Sequence, residues 1–259
     1  MVEGEFLDTN IVFDAIYTTR PLYQNFHKTF SSVFLLKKLC ITISIDTEVQ
    51  IIATDSVNFL VKELYNTIRP TDWDNLATQK KDELIKAMSK NLEADSEVKR
   101  KKRGLFVQDA LKAITAQLQS LTKSEIITVL CPNLHYLYTR ELQRQIFEHF
   151  SIPPVDGSHP DHKNLSDVIK DSNQKCKAFT TKENQDFYIL TDLVLLVAIG
   201  ARWINNMTQD FDSISFYSRD GDFRGNFDKF KEYFNKIDKN TNESSIEEAI
   251  GSIVVRKPY

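Results

Sequence analysis

Apolar positions along this chain switch between two periods. Glu5 to Asp8 reads as a short strand, and from Asn10 onward Ile11, Val12, Ala15 and Ile16 fall at helical spacing, which puts Asp8 where a strand gives way to a helix. After Pro21 a second helical run carries Phe26, Phe30, Val33, Phe34 and Leu36. Leu39 to Ile45 sets Ile at every second position and predicts another strand, with Glu48 just beyond it. A helix predicted from near Asp46 to Thr67 returns Ile51, Ile52, Val57, Phe59, Leu60 and Leu64 to one face, until Pro70 ends it.

From residue 71 to 181 the pattern changes to charged amphipathic helices, most plainly Leu76 to Leu92, Leu105 to Leu121 and Leu134 to Phe150. This stretch is expected to be a helical insertion, dividing a main domain of residues 1–70 and 182–259. Within it, Ser151 to Lys163 holds Pro153, Pro154, Gly157 and Pro160, a density of breakers that predicts a loop. The last third reads helix, strand, helix: Asn184 to Asn206, Ser213 to Ser218, Gly225 to Ile237. Ser252 to Arg256 is expected to add a further strand at an edge. Strands alternating with helices predict an α/β fold, a parallel sheet with helices on both faces.

Composition supports a packed protein with few sharp turns. Of 259 residues, 41% are hydrophobic and 27% charged, and 17 Phe and 9 Tyr stand against 7 Gly and 7 Pro. A net charge of -3 excludes a surface that is basic throughout, so any nucleic-acid contact must come from a local patch. Cys40, Cys131 and Cys176 share no CxxC spacing, which fits a reducing, cytoplasmic home. The longest apolar stretch, Tyr188 to Ile199, is broken by Asp192 and is shorter than the roughly 18 to 20 residues of a membrane span, so no membrane is expected as a partner.

In open parallel sheets, ligands bind beyond the carboxyl ends of the strands. Asp8, Glu48 and Asp220 each fall at or after a predicted strand end, and Asp192 sits in an apolar helix able to lie along the same edge. Carboxylates brought that close raise one another's pKa or demand a cation, and hard oxygen donors suit Mg²⁺ or Mn²⁺. Each acid also has a plainer role open to it. Asp8 suits a helix N-cap, Asp192 must cap, pair or bind metal to be tolerated among Leu190, Leu193 and Val194, and Asp220 and Asp222 suit a turn around Gly221.

Three segments, in order, resemble the PIN-domain family of nucleases: Phe6-Leu7-Asp8-Thr9-Asn10-Ile11, Asp192 followed by Leu-Val-Leu-Leu-Val-Ala, and Phe216-Tyr217-Ser218-Arg219-Asp220-Gly221-Asp222-Phe223. The resemblance covers roughly residues 5 to 66 and 184 to 235. It implies a ribonuclease that hydrolyses phosphodiester bonds of single-stranded or structured RNA through Mg²⁺ or Mn²⁺. The catalytic acids it implies are Asp8, Glu48, Asp192 and Asp220, with Asp8, Asp192, Asp220 and Asp222 on the metal. Asn10 would orient the Asp8 carboxylate, and Thr9 or Ser218 would hold a phosphate oxygen or a water. In many members the glutamate stands two residues later, where this chain has Gln50. Glu63 is the other candidate, roughly 22 Å along the helix from Glu48, so only one of the two can serve the site. A catalytically inactive RNA-binding or scaffold protein of the same fold, and a DNA or flap-type nuclease, are the alternatives. A protein partner, such as an antitoxin, and a homodimer stay open.

Outside those segments, Lys99, Arg100, Lys101, Lys102 and Arg103 form the one uninterrupted cationic block. It reads either as a solvated face or as a phosphate-binding patch that anchors RNA without reading its sequence. His159 and His162, with Asp156 and Asp161, make a zinc site conceivable in the 151–163 loop, but a flexible lid is the better expectation there.

Overall fold

The computed structural model describes residues 2–17, 20–35, 39–94, 104–175, 183–202, 207–234 and 244–259. Among these the strands are β1 (Glu3–Leu7), β2 (Leu39–Cys40), β3 (Ala201–Arg202), β4 (Thr208–Gln209), β5 (Ser213–Tyr217) and β6 (Ile253–Arg256). The main sheet runs β2-β1-β5-β6 and every pairing in it is parallel, so the chain has an α/β fold. Strands of a parallel sheet lie under cover, and Phe6, Leu7, Ile214, Phe216 and Ile253 are accordingly buried. The terminal strand β6 takes an edge beside β5, as the apolar pattern predicts. Register sets which residues meet at the strand ends. Leu7 stands opposite Tyr217, and the Asp8 amide donates to the Tyr217 carbonyl at 2.9 Å, so Asp8 and Ser218 leave two neighbouring strands side by side.

The helices are α1 (Thr9–Ile16), α2 (Tyr23–Leu35), α3 (Ile43–Ile68), α4 (Thr78–Ala94), α5 (Gly104–Ser120), α6 (Cys131–His149), α7 (His162–Lys175), α8 (Glu183–Ile199), α9 (Gly221–Phe234) and α10 (Ser244–Gly251). Two compact units result, one of Met1–Glu48 with Phe147–Tyr259 and one of Val49–Ile146. These divisions fall earlier than the 70/71 and 181/182 boundaries drawn from composition. Helix α3 begins in the sheet unit and continues into the helical one, and α7, polar in sequence, packs on α8 of the sheet unit.

The helical unit has its own core, including Leu60, Leu64, Met88 and Leu118 around the buried Trp73. The Trp73 indole N–H donates to the Leu121 carbonyl at 3.2 Å, which satisfies the polar atom of an otherwise apolar ring. Thr122 and Glu125 then close a reciprocal capping box that starts the next helical turn.

Three local expectations change. The strand foreseen over Leu39 to Ile45 stops at Cys40, because Thr42 accepts from the Ile45 amide at 3.2 Å and starts α3 at Ile43. The loop from Ser151 is no loose lid. Ser151 exchanges backbone hydrogen bonds with Leu39 and Ile41, Arg202 donates to the Pro154 carbonyl, and the buried Asp156 accepts from the amide and hydroxyl of Ser158. The helix foreseen to Asn206 ends at Ile199, because Gly200 turns the backbone to φ 81°.

A side chain at Gly200 meets two obstacles. That φ is one L residues avoid, and an added Cβ would lie 2.7 Å from the Asp210 carboxylate. Gly200→Ala is expected to cost about 1–2 kcal/mol or more, read as a lower midpoint in guanidinium unfolding.

Candidate functional site

The site is built at the carboxyl ends of β1 and β5, and all of it lies in the sheet unit. Asp8 follows β1 directly and occupies the N-cap position of α1 in extended backbone, yet its side chain does not cap that helix. The carboxylate is turned sideways instead. Its Oδ2 accepts from the Ser218 hydroxyl at 2.7 Å, and the Ser218 oxygen in turn accepts from the Asp220 amide at 3.0 Å. One serine thus joins the acid after β1 to the acid after β5. Asp220 immediately precedes α9, which starts at Gly221 rather than at Gly225.

The third acid arrives on α3. Glu48 accepts a hydrogen bond from the Thr9 hydroxyl, the residue next to Asp8. Glu63 lies in the helical unit and accepts from Asn91 at 3.0 Å, whereas Glu48 is held beside Asp8 through Thr9.

Asp192 is placed differently. It accepts from the Ser44 amide at 2.9 Å, so its carboxylate sits on the first turn of α3. A helix N-terminus leaves amides unbonded and carries partial positive charge, which explains how an acid survives in the apolar α8. Ser44 and Glu48 are four residues apart and therefore share a face of α3 about 6 Å apart along the axis. The Asp192 carboxylate is thus tied to the cluster through one helical turn.

Charge coupling follows the same geometry. Burial pushes the Asp8 carboxyl up to about 6; the Ser218 bond pulls it down, the Glu48 charge raises it, the Thr9 amide lowers it, and the Asp220 charge raises it again. Asp8 is 6% exposed, so a charge there is desolvated and beside two others of its own sign. Burial raises Asp192 too, opposed by Ser44 and Thr42.

Several expected roles change hands. Asp8 is oriented by Ser218 and the Thr9 amide, whereas Asn10 contributes its backbone carbonyl to Arg20 and Arg219. Thr9 is engaged with Glu48. Asp222 lies in the first turn of α9 with its side chain outside the described residues, as does the whole run Lys99 to Arg103. Gln50, where the family's glutamate often stands, has a buried Oε1 without a hydrogen-bond partner among the described residues.

Beside the acids stands a network that the sequence pattern does not single out. Asp14, one turn and a half along α1, is fully buried; Arg20 Nε reaches it at 2.9 Å, Arg219 Nη2 at 2.8 Å, and the Tyr259 hydroxyl donates to it at 2.6 Å. An aspartate inside the apolar run Ile11 to Ile16, and an arginine between Ser218 and Asp220, are the signals that could have found it.

The donor set is all hard oxygen, which suits Mg²⁺ or Mn²⁺ in kind. Among the described residues, however, no three His, Cys, Asp or Glu side chains stand close enough together to hold a metal ion. Hydroxyls of Ser218 and Thr9 stand against the Asp8 and Glu48 carboxylates. No helix of the described residues is long and apolar enough to cross a membrane. No family model, curated protein or solved structure matches the chain.

Proposed function

We propose that this is a PIN-like ribonuclease, with a helix-covered parallel sheet and a Mg²⁺ or Mn²⁺ site formed by Asp8, Glu48 and Asp220. The observation that carries the reading is Asp8 itself, a buried carboxyl raised to about 6 and exposed to the charges of Glu48 and Asp220 beyond two adjacent parallel strands. A desolvated acid among like charges is a poor structural element and a good cation ligand. When bound, the ion would polarise a phosphodiester of RNA and lower the pKa of a water. Ser218 holds Asp8 and the Asp220 backbone in one frame, Thr9 fixes Glu48, and Asp192 anchors the helix that delivers Glu48. Lys99 to Arg103 would anchor RNA phosphates.

A second reading, an inactive RNA-binding or scaffold protein of the same fold, is favoured by the absence of a converged metal-ligand set among the described residues. The experiment that decides is cleavage of matched single-stranded RNA and DNA with Mn²⁺, with Mg²⁺ and with chelator, using the wild type and Asp220→Asn. The nuclease reading expects metal-dependent RNA cleavage that falls by more than about 100-fold in the variant, beyond what loss of an outer-shell partner costs. Equal cleavage of DNA would point to a DNA or flap-type enzyme. Absent cleavage would leave the scaffold reading, and metal-independent cleavage would overturn the acidic metal site.

A further inference from the structure

Arg219 lies between Ser218 and Asp220, on the turn that carries the acidic site into α9. Both of its bonds run through Nη2, to Asp14 Oδ2 at 2.8 Å and more loosely to the Asn10 carbonyl at 3.4 Å. Its Nε is buried and has no hydrogen-bond partner among the described residues. An unmade bond at a charged buried donor is costly, and native structures keep few of them without a ligand, water or ion to complete the set.

The carboxylate that holds Arg219 is shared, because Asp14 also receives Arg20 Nε at 2.9 Å and the Tyr259 hydroxyl at 2.6 Å. The side chain of Arg219 is 29% exposed, enough to be reached. Next to it, at Gly221, a Cβ would meet nothing of the described residues within 4 Å. A guanidinium held on one side by a carboxylate, with donors left over on the other, matches the geometry of an oxyanion.

We infer that Arg219, held by Asp14 and backed by Arg20, is a phosphate-binding subsite that takes the phosphate of a nucleotide bound next to the Asp8, Glu48 and Asp220 cluster. The identity of that substrate rests on the nuclease reading proposed above; the anion chemistry does not. In this arrangement the carboxylates serve the cationic side of the site and Arg219 the phosphate side, which orients the nucleic-acid backbone across the strand ends.

The test titrates inorganic phosphate into the metal-free, full-length protein by calorimetry, comparing wild type, Arg219→Gln and Arg219→Lys, with RNA cleavage measured alongside. Saturable phosphate binding is expected in the wild type, weakened about 10-fold in Arg219→Gln and by less in Arg219→Lys, which keeps the charge but loses the fork. For cleavage, KM for RNA should rise more than kcat falls. Phosphate binding that is absent in the wild type, or equal in wild type and Arg219→Gln, overturns the subsite whatever the activity. If Arg219→Gln fails to fold, Arg219→Lys decides, and unchanged phosphate affinity there overturns the proposal. Phosphate binding through Arg219 in a protein that cleaves no RNA supports the subsite while the nuclease reading fails.

Discussion

Asp8→Asn is expected to yield a metal-free protein that is more stable at pH 7 than the wild type and nearly inactive. The sign comes from burial. In the unfolded chain an aspartate titrates near about 3.9, whereas in the fold Asp8 is raised to about 6. Between those values the fold binds more protons at Asp8 than the unfolded chain does, so the contribution of Asp8 to stability is greatest below about pH 4, falls as pH rises toward 6, and levels off above it. Two pKa units correspond to about 3 kcal/mol, the cost of ionising Asp8 at neutral pH. Asparagine removes that cost, keeps the shape and still meets the Ser218 hydroxyl. The variant should therefore gain on the order of 2–3 kcal/mol at pH 7 and lose the share of the pH dependence between 4 and 6 that Asp8 supplies, read as the difference from wild type in urea unfolding across pH. Its cleavage of RNA should fall by more than about 100-fold. A loss of stability together with activity would mean that the charged carboxylate supports the fold.

Asp14→Asn should move stability the other way, although Asp14 is only six residues further along and is also buried. Here the charge is matched. Arg20 Nε at 2.9 Å, Arg219 Nη2 at 2.8 Å and the Tyr259 hydroxyl at 2.6 Å all converge on it. Neutralising Asp14 removes the carboxylate on which two guanidiniums converge, and breaking a buried pair by removing one partner costs about 3–5 kcal/mol. Guanidinium unfolding at pH 7 should show that loss, and Tyr259→Phe should show about 1 kcal/mol, the worth of one hydrogen bond. A change below about 1 kcal/mol for Asp14→Asn would mean that solvent reaches the arginines and does the neutralising. Two aspartates of similar burial thus carry opposite expected signs, because one sits among like charges and the other is matched by guanidiniums.

The frame of the sheet is legible in the sequence because its strands are short, strongly apolar and closed by acids or breakers. Phe6-Leu7 and Ile214-Ser215-Phe216 lie side by side in parallel, and the final Ile253–Arg256 strand takes the edge. Boundaries are harder to read. Ile41, Thr42, Ile43 and Ser44 have strand-like composition, yet the Thr42 cap and the Asp192 carboxylate together start a helix there, and that capping partner lies 148 positions away from Ser44. Periodicity within a window does not register such a contact. The same limit explains the division into units, since α3 is one uninterrupted amphipathic helix whose two ends belong to different cores.

Within the site, the residue types are legible and their bonding is not. Asp8, Glu48 and Asp220 stand out as acids at strand ends, and the fold brings their charges together. Serine and threonine are common enough to carry little signal, so the role of Ser218 as the link between Asp8 and Asp220 becomes visible only with the parallel register of β1 and β5. Asp192 looks like a member of the cluster because it interrupts an apolar helix, and a dipole-facing cap satisfies the same requirement. Asp14 escapes notice for the opposite reason, as its partners Arg20, Arg219 and Tyr259 come from three separate parts of the chain.

The central claim is that Asp8, Glu48 and Asp220 act together as one cation-accepting site, and Mn²⁺ binding by the intact protein tests it most directly. Thermal unfolding at pH 7 over a Mn²⁺ titration, for wild type, Asp8→Asn and Asp220→Asn, should show a saturable rise of the wild-type midpoint, since a ligand held by the folded form alone stabilises it in proportion to RT ln(1 + [L]/Kd). Both variants should lose that rise, with Asp8→Asn starting from a higher metal-free midpoint. A wild type indifferent to millimolar Mn²⁺, or a rise equally large in both variants, would contradict the account.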